Sequence, residues 1–189
     1  MAANGRAPGA TGQPGPPLRS PEISAWIVSA IRQYEKPLTL YVSRILHDAD
    51  LARDVVQEAF LRLCVQPREA VEPHLAEWLY TVCRNKALDV RRKEKRMTEL
   101  KDETTDSWAS PDPSPGAALE QADEASRAAR LMEHLSDNQQ EVLRLKFQHG
   151  LSYKEISRVT NLSVTNVGFL IHTGLKALRE RMTQYPARP

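Results

Sequence analysis

Residues 152–181 read SYKEISRVTNLSVTNVGFLIHTGLKALRER and carry the clearest structural signal in the chain. Ser152 and Glu155 stand at the spacing of a capping box, in which each side chain satisfies a backbone N–H that the start of a helix leaves unpaired. The helical pattern then breaks at 160–163, where Asn161 is one of the few non-glycine residues that tolerate a left-handed backbone. The sequence therefore predicts two helices joined by a tight turn, the layout of a helix-turn-helix.

The second predicted helix begins at Ser163 and has two faces. Apolar residues recur at three- and four-residue steps along one face: Val164, Val167, Ile171, Leu175, Leu178 and Met182. The opposite face carries Thr165, Asn166, Phe169, His172 and Lys176. Because the second helix of a DNA-binding helix-turn-helix enters the major groove, we expect Ser163 and this opposite face to contact DNA. An ordinary helical hairpin has the same pattern, so the segment alone leaves both interpretations open.

The composition favours small helical modules with locally concentrated charge. A length of 189 residues allows one ordinary domain or two small ones, and only 6% of the residues are aromatic. The net charge of +2 is too small to argue for nucleic-acid binding by the whole chain. Residues 84–96, however, hold seven Lys or Arg against two acids, and residues 99–124 hold eight acids against one Lys. A basic surface therefore directly precedes an acidic segment.

The two cysteines and the hydropathy pattern indicate the cellular compartment. Cys64 and Cys83 show no metal-ligand spacing and lie in apolar helical patterns, which favours buried reduced thiols. No apolar run approaches the ~18 residues of a membrane span. The N-terminus also lacks the basic and apolar stretches of a secretory signal. We therefore expect a cytoplasmic protein without membrane insertion and without a bound metal or cofactor.

The chain divides into two helical parts and two stretches without helical pattern. Residues 1–19 contain four Gly and four Pro, a composition that predicts a disordered tail. Residues 98–116 are acidic and interrupted by prolines, as in a flexible linker. Residues 20–97 and 117–185 show apolar residues at helical spacing and no strand-like alternation. We therefore predict an all-α fold of two small helical domains.

Prolines and caps divide the first domain further. A helix is predicted to start at Ser20, and Pro37 is expected to end or kink it. A further helix is predicted over 48–65, followed by a loop at 66–74 and a long helix over 75–96.

The predicted helix 48–65 carries a second stripe beside its core face. Asp54, Gln57, Glu58 and Leu61 lie at helical spacing and combine acidic and amide groups with an exposed leucine. Such a stripe is either a solvated face or a surface for a partner.

The predicted helix 75–96 combines an apolar side with a basic one. The apolar side consists of Leu75, Leu79, Val82, Cys83 and Val90. The other side consists of Tyr80, Arg84, Leu88, Arg91, Arg92 and Lys95, and it resembles a phosphate-tracking surface with an aromatic ring for stacking. A solvated face explains the same charges, so the helix alone does not decide between the two.

Two separated segments resemble the bacterial sigma factors, which give RNA polymerase its promoter specificity. Residues 48–63 are similar to the "D-x-x-x-A-x-D-x-x-Q-E-x-F-L-x-L" helix of sigma region two. The WLY at 78–80 and RNKALD at 84–89 are similar to its continuation, "W-L-x-x-x-x-R-N-x-x-x-D". Residues 135–179 resemble sigma region four. Because the short chain matches only these two regions, it resembles the extracytoplasmic-function type.

The resemblance implies a non-enzymatic subunit that binds core RNA polymerase, recognises promoter DNA and helps to open it. Asp54, Gln57, Glu58 and Leu61 would bind the clamp helices of the largest polymerase subunit. The residues near the downstream promoter element and its opened strand would be Trp78, Tyr80, Arg84, Asn85, Arg91, Arg92 and Lys93. The loop 66–74 beside Trp78 would hold a flipped base, although Trp78 could equally belong to the core. An anti-sigma factor is a further partner that the resemblance implies.

One departure from the family and two other functions bear on this interpretation. Family members usually carry several Lys or Arg along the recognition helix, whereas Lys176 is the first one here. We therefore expect weak DNA binding by region four, or a protein contact centred on Phe169.

A stand-alone helix-turn-helix regulator is the alternative function. An enzyme is not supported, because no nucleophile-base pairing, metal spacing or phosphate-binding glycine loop is present.

Overall fold

The computed structural model describes residues 21–99 and 130–184, and all regular secondary structure within these ranges is helical. In chain order the helices are α1 (Pro21–Leu46), α2 (Ala49–Val65), α3 (Arg68–Val71), α4 (Leu75–Glu99), α5 (Asp137–Phe147), α6 (Tyr153–Thr160) and α7 (Val164–Gln184), with a 3-10 turn (Glu72–His74) between α3 and α4. The all-α fold class is confirmed. The predicted tail, almost all of the linker 98–116 and residues 117–129 of the second predicted domain lie outside the described residues.

The sequence predicted that Pro37 ends or kinks the first helix. Helix α1 continues through Pro37, so the first of these two alternatives is wrong. Proline removes one backbone hydrogen bond and crowds the preceding turn, which disfavours the helix locally. The next turns, however, place Leu38 and Val42 in the core with no exposed surface, and Tyr41 is also buried. Burial of these side chains stabilises the helix beyond the proline, and tertiary packing overrides the local preference.

The first region is a bundle in which α1, α2 and α4 contact one another. Asp48 caps α2, because its side chain accepts hydrogen bonds from the backbone N–H groups of Asp50 and Leu51. The buried side of α2 comprises Ala52, Val55, Val56, Ala59, Phe60 and Leu63. The segment 66–74 was predicted as a loop, but it contains the short helix α3 and the 3-10 turn.

The second region has the predicted helix-turn-helix. Ser136 with Gln139 and Ser152 with Glu155 form complete capping boxes at the starts of α5 and α6. Asn161 ends α6 in the left-handed conformation with φ of 59°. Ser163 accepts a hydrogen bond from the backbone N–H of Asn166 and so caps α7. The two-helix motif and its turn are confirmed.

A glycine permits the close approach of α7 to α5. A Cβ added at Gly174 would lie 3.0 Å from Leu143 Cδ1, which is too close for an ordinary contact.

The apolar stripe of α7 is buried at Val167 and Ile171, whereas Val164 and Met182 at its ends are exposed. The stripe therefore covers the core only over its middle turns.

The two regions pack against each other through α4 and α6. Their buried apolar side chains form one continuous cluster. This packing determines which of the predicted functional residues are accessible.

Candidate functional site

The stripe on α2 faces outward. Asp54 and Gln57 are exposed, and Leu61 is 68% exposed although it lies one residue from the buried Phe60. Neither the fold of the first region nor its contact with the second buries this leucine. The surface is therefore open to a partner, and we call Asp54, Gln57, Glu58 and Leu61 the α2 face.

Glu58 differs from the rest of the α2 face because it is already paired. Its carboxylate lies 2.5 Å from Lys86 Nζ on α4 and 2.6 Å from Arg62 Nη2 on its own helix. The hydrogen bond from Lys86 is the main cause that lowers the pKa of the Glu58 carboxyl. Glu58 therefore ties α2 to α4 while staying at the edge of the α2 face.

The C-terminal half of α4 presents the predicted basic surface. Asn85, Arg91, Arg92 and Lys93 are exposed, and Arg92 pairs with Asp89 on the same helix, at 3.2 Å. An exposed pair of this kind contributes at most about 1 kcal/mol, so it does not prevent Arg92 from contacting a phosphate. We call Asn85, Arg91, Arg92 and Lys93 the α4 basic surface.

The N-terminal half of α4 contradicts the predicted outward face. Tyr80 is only 2% exposed, and its ring packs against Tyr41 and His149 with centroids 5.2 Å and 4.8 Å away. The prediction that Tyr80 stands among exposed bases is therefore wrong for this structure. Helical spacing placed Tyr80 opposite the first core face, but α1 and the second region cover that opposite face as well.

Arg84 is also covered. Its Nε and Nη2 atoms donate to the two carboxylate oxygens of Glu141 on α5 at 2.8 and 3.1 Å. Tyr41 Oη donates to Glu141 at 2.7 Å. The side chains of Arg84 and Glu141 are only 15% and 18% exposed. A two-point ion pair of low exposure therefore connects the helix predicted to hold DNA with the second region.

A second ion pair and a histidine complete this contact between the regions. Arg158 on α6 donates to the buried carboxylate of Glu77 on α4 at 2.5 Å. His149, after α5, packs against the rings of Tyr41 and Tyr80. Burial, followed by the charge of Arg44, lowers the pKa of His149 to about 4. The histidine is therefore neutral at pH 7 within the contact.

The recognition-helix face of α7 is open. Thr165, Asn166, Phe169, His172 and Lys176 are all exposed, with Phe169 at 62%. Lys176 Nζ approaches Glu180 at 3.9 Å, a distance that leaves the ammonium available to another anion. Ser163, predicted to contact DNA, has its hydroxyl engaged as the helix cap.

A cleft of about 340 Å³ lies beside the segment 66–74, but Trp78 does not line it. Trp78 is half-buried and packs against the core, whereas Trp26, Tyr34 and His74 line the cleft. Glu155 from α6 also lines it. The aromatic residues beside this segment are therefore Trp26 and Tyr34, and the Arg68 guanidinium lies 5.6 Å from the centre of the Trp26 ring.

Sequence reasoning missed the residues that join the two regions. Glu77, Glu141, His149 and Arg158 stand out by no motif, and Arg84 and Glu141 are 57 positions apart in the chain. A pattern within one helix gives no signal of these contacts, because each of them joins side chains of the two regions.

Two classes of feature are absent from the part of the chain that the structure describes. No group of three His, Cys, Asp or Glu side chains there could hold a metal ion. None of the helices there is long and apolar enough to cross a membrane.

Comparison with known families matches both regions. Residues 22–97 match "Sigma-70 region 2", and residues 126–178 match "Sigma-70, region 4". Together the two matches include more than half of the chain, in the family's order. They do not favour the stand-alone regulator, because the α2 and α4 segments belong to the match.

Curated relatives and a solved structure agree with these matches. The chain is 29% identical to the ECF RNA polymerase sigma factor SigM of Bacillus subtilis, over 79% of this chain and 93% of SigM. It is 29% identical to SigL of Mycobacterium tuberculosis, over 74% of this chain and 78% of SigL.

The fold is similar to that of the sigma factor RpoE of Bartonella quintana, solved in complex with the anti-sigma factor NepR. The TM-score is 0.60 at 18% identity, over 86% of this chain and 97% of RpoE. The chain belongs to the sigma-70 family and is an RNA polymerase sigma factor of the extracytoplasmic-function type.

Proposed function

We propose that this sigma factor acts in the cytoplasm, without enzymatic activity, through three separate surfaces. The α2 face binds core polymerase, the α4 basic surface holds the downstream promoter element, and the open face of α7 reads the upstream element. The observation that carries the proposal is the exposure of the α2 face, because the fold has no use for a leucine placed there.

Leu61 supports the assignment of the α2 face to a protein partner. It is 68% exposed, and burying such a side chain contributes about 1.5 to 3 kcal/mol. Asp54 and Gln57 flank it with groups that hydrogen-bond at a polar rim. An apolar anchor with a polar rim is the usual anatomy of a specific protein interface.

The α2 face is tested with the double variant Gln57→Ala and Leu61→Ser in the full chain. We expect loss of at least tenfold in association with core polymerase on size-exclusion chromatography, because the apolar anchor is removed. Circular dichroism and the melting temperature should stay unchanged, since both side chains are exposed. Leu40→Ser is the matched control, because Leu40 is 48% exposed on α1 and outside the face. Equal weakening by Leu40→Ser, or full association by the double variant, would contradict the assignment.

The closed packing of the two regions bears on promoter binding. Arg84 and Tyr80 are engaged between the regions, whereas the α4 basic surface is exposed. We infer that the regions separate when the factor engages promoter DNA, which releases Arg84 from Glu141. The cleft beside 66–74, with Trp26, is the candidate pocket for an unpaired base, and Glu155 on its wall would withdraw with the second region.

The open face of α7 is suited to weak sequence reading. Thr165 and Asn166 lie at the helix start, where base edges are normally reached, and Phe169 could pack on a thymine methyl group. With Lys176 as its single formal positive charge, this face gains useful affinity only when the polymerase raises its effective concentration at the promoter.

An anti-sigma factor is a further proposed partner. The structural relative RpoE was solved with the anti-sigma factor NepR. A protein that holds the two regions together would keep Arg84 away from DNA, and that would be sufficient to inhibit this chain.

A further inference from the structure

A cleft of about 370 Å³ lies between the two regions, and four arginines line it. Arg44 comes from α1, Arg84 and Arg91 from α4, and Arg144 from α5. Helices of both regions therefore form one strongly basic cavity. Its volume is within the range of pockets that bind small molecules.

The positive charge in this cleft is not balanced by its own carboxylates. Asp137 and Glu141 also line the cleft, but both oxygens of Glu141 are taken by Arg84. Within the described ranges, no carboxylate lies at ion-pair distance from Arg44, Arg91 or Arg144. Three guanidinium groups are therefore left without a counter-ion in the described structure.

Arg144 is the arginine of this cleft whose charge is least well compensated. Its Nη2 donates to Gln140 at 2.9 Å, whereas its Nε is buried without any hydrogen-bond partner among the described residues. Burial, followed by the charge of Arg44, lowers the pKa of Arg144 to about 10. Arg44 is more exposed, yet partial burial of its charged group lowers its pKa as well. A buried donor without a partner is unfavourable, and an anion in the cleft would satisfy it.

We propose that this cleft binds a small anion with two or more phosphate groups, and that the anion holds the two regions together. Guanidinium groups match phosphate oxygens in two-point geometry, and several arginines around one cavity favour a multiply charged ligand over a single carboxylate. The cleft exists only while the regions are packed. A ligand that binds the closed state alone shifts the population toward it. In the closed state Arg84 stays on Glu141, so the ligand would hinder promoter binding. That inhibition rests on the proposed function, whereas binding of the anion does not.

Sodium tripolyphosphate is the probe, used with the full chain. At about a hundredfold excess over its Kd, we expect the melting temperature to rise by roughly 5 to 10 °C. Arg44→Gln and Arg144→Gln should each weaken binding at least tenfold in isothermal titration calorimetry. Arg179→Gln, which removes the same charge from an exposed position on α7, should bind like the parent. Small-angle scattering should show a smaller radius of gyration with the probe than without it.

The stability of Arg44→Gln in the absence of the probe distinguishes a binding site from a structural role. Because Arg44 and Arg144 repel each other, Arg44→Gln should leave the unliganded protein as stable as the parent or more stable. A merely structural arginine would lower the stability in both conditions. The proposal is overturned if sodium chloride at the same ionic strength reproduces the rise, or if Arg179→Gln loses as much binding as Arg144→Gln.

Assays with RNA polymerase distinguish the proposed anion site from the proposed role of the α2 face. The probe should leave association with core polymerase unchanged, because the α2 face is open in the closed state. It should reduce open-complex formation by the holoenzyme of the parent, because Arg84 stays on Glu141, and it should not change open-complex formation by the holoenzyme of Arg144→Gln. The α2-face double variant should still bind tripolyphosphate with the parent affinity, so failure of the α2 face leaves the anion site intact. Parent-like binding of tripolyphosphate by Arg44→Gln and Arg144→Gln would refute the anion site without affecting the α2 face.

Discussion

Helices α4 and α7 are both predicted to face DNA, yet only α7 presents its whole predicted face to solvent. Thr165, Asn166 and Phe169 are exposed on α7, whereas Tyr80 and Arg84 on α4 are covered by the other region. Both faces were assigned from the same helical periodicity. Periodicity tells which residues share a face, but a distant part of the chain decides whether that face is open.

The largest expected effect comes from removing the carboxylate that covers Arg84. In Glu141→Ala, the Arg84 guanidinium stays between the regions without its partner, which should destabilise the closed packing by about 2 to 3 kcal/mol. We expect a larger radius of gyration in small-angle scattering and faster proteolysis between the regions. Open-complex formation should increase, because Arg84 becomes available.

Glu180→Ala is the control for this variant. Glu180 is an exposed carboxylate whose nearest cation, Lys176, is 3.9 Å away, so its removal should leave the radius of gyration unchanged. If Glu141→Ala scatters like the parent, Arg84 and Glu141 do not hold the regions together in solution.

The next effect distinguishes the exposed half of α4 from the covered half. Arg91→Gln with Arg92→Gln should lower the slope of log affinity against log salt by about two units for promoter binding by the holoenzyme, about one per lost phosphate contact. Association with core polymerase should be unchanged, since both residues lie away from the α2 face. An unaltered slope would mean that these arginines are only a solvated face.

Arg84→Gln adds a finer test of the same helix. If the regions separate at the promoter, this variant should lower the slope by about one further unit in the holoenzyme. If the regions stay closed there, Arg84 remains on Glu141 and the slope should not change.

Local chemistry explains what the sequence predicted well. The capping box at Ser152 and the left-handed Asn161 depend on neighbours within three residues, and both were found as expected. The exposure of Leu61 was also predicted, because α2 has a complete core face without it. These features need no knowledge of distant parts of the chain.

The errors arise where distant parts of the chain meet. Pro37 disfavours a helix locally, but burial of Leu38 and Val42 continues α1 through it. Tyr80 was placed on an open face because its partners Tyr41 and His149 are far away in sequence. A pattern read along one helix contains no information about such partners.

The smallest expected effect concerns pH and again the covered half of α4. The pKa of His149 is lowered from 6.5 to about 4 by burial and by Arg44, so the closed state favours the neutral imidazole. Between these two values the opened or unfolded chain binds more protons, and stability of the closed state therefore falls as pH falls through this window. Above about pH 6.5 the contribution of His149 should be complete and independent of pH.

The matching measurement is the melting temperature and radius of gyration at pH 7.5 and 5.5, where carboxylates with ordinary pKa values remain charged. His149→Phe keeps a ring against Tyr41 and Tyr80 but cannot titrate, so its difference between the two pH values should be smaller than that of the parent. His172→Gln, on the open face of α7, should behave like the parent. Because His149 retains part of its contact with solvent, we expect a modest shift. If His149→Phe and the parent respond equally, another group controls the pH dependence, and the contact between α4 and the second region is insensitive to this histidine.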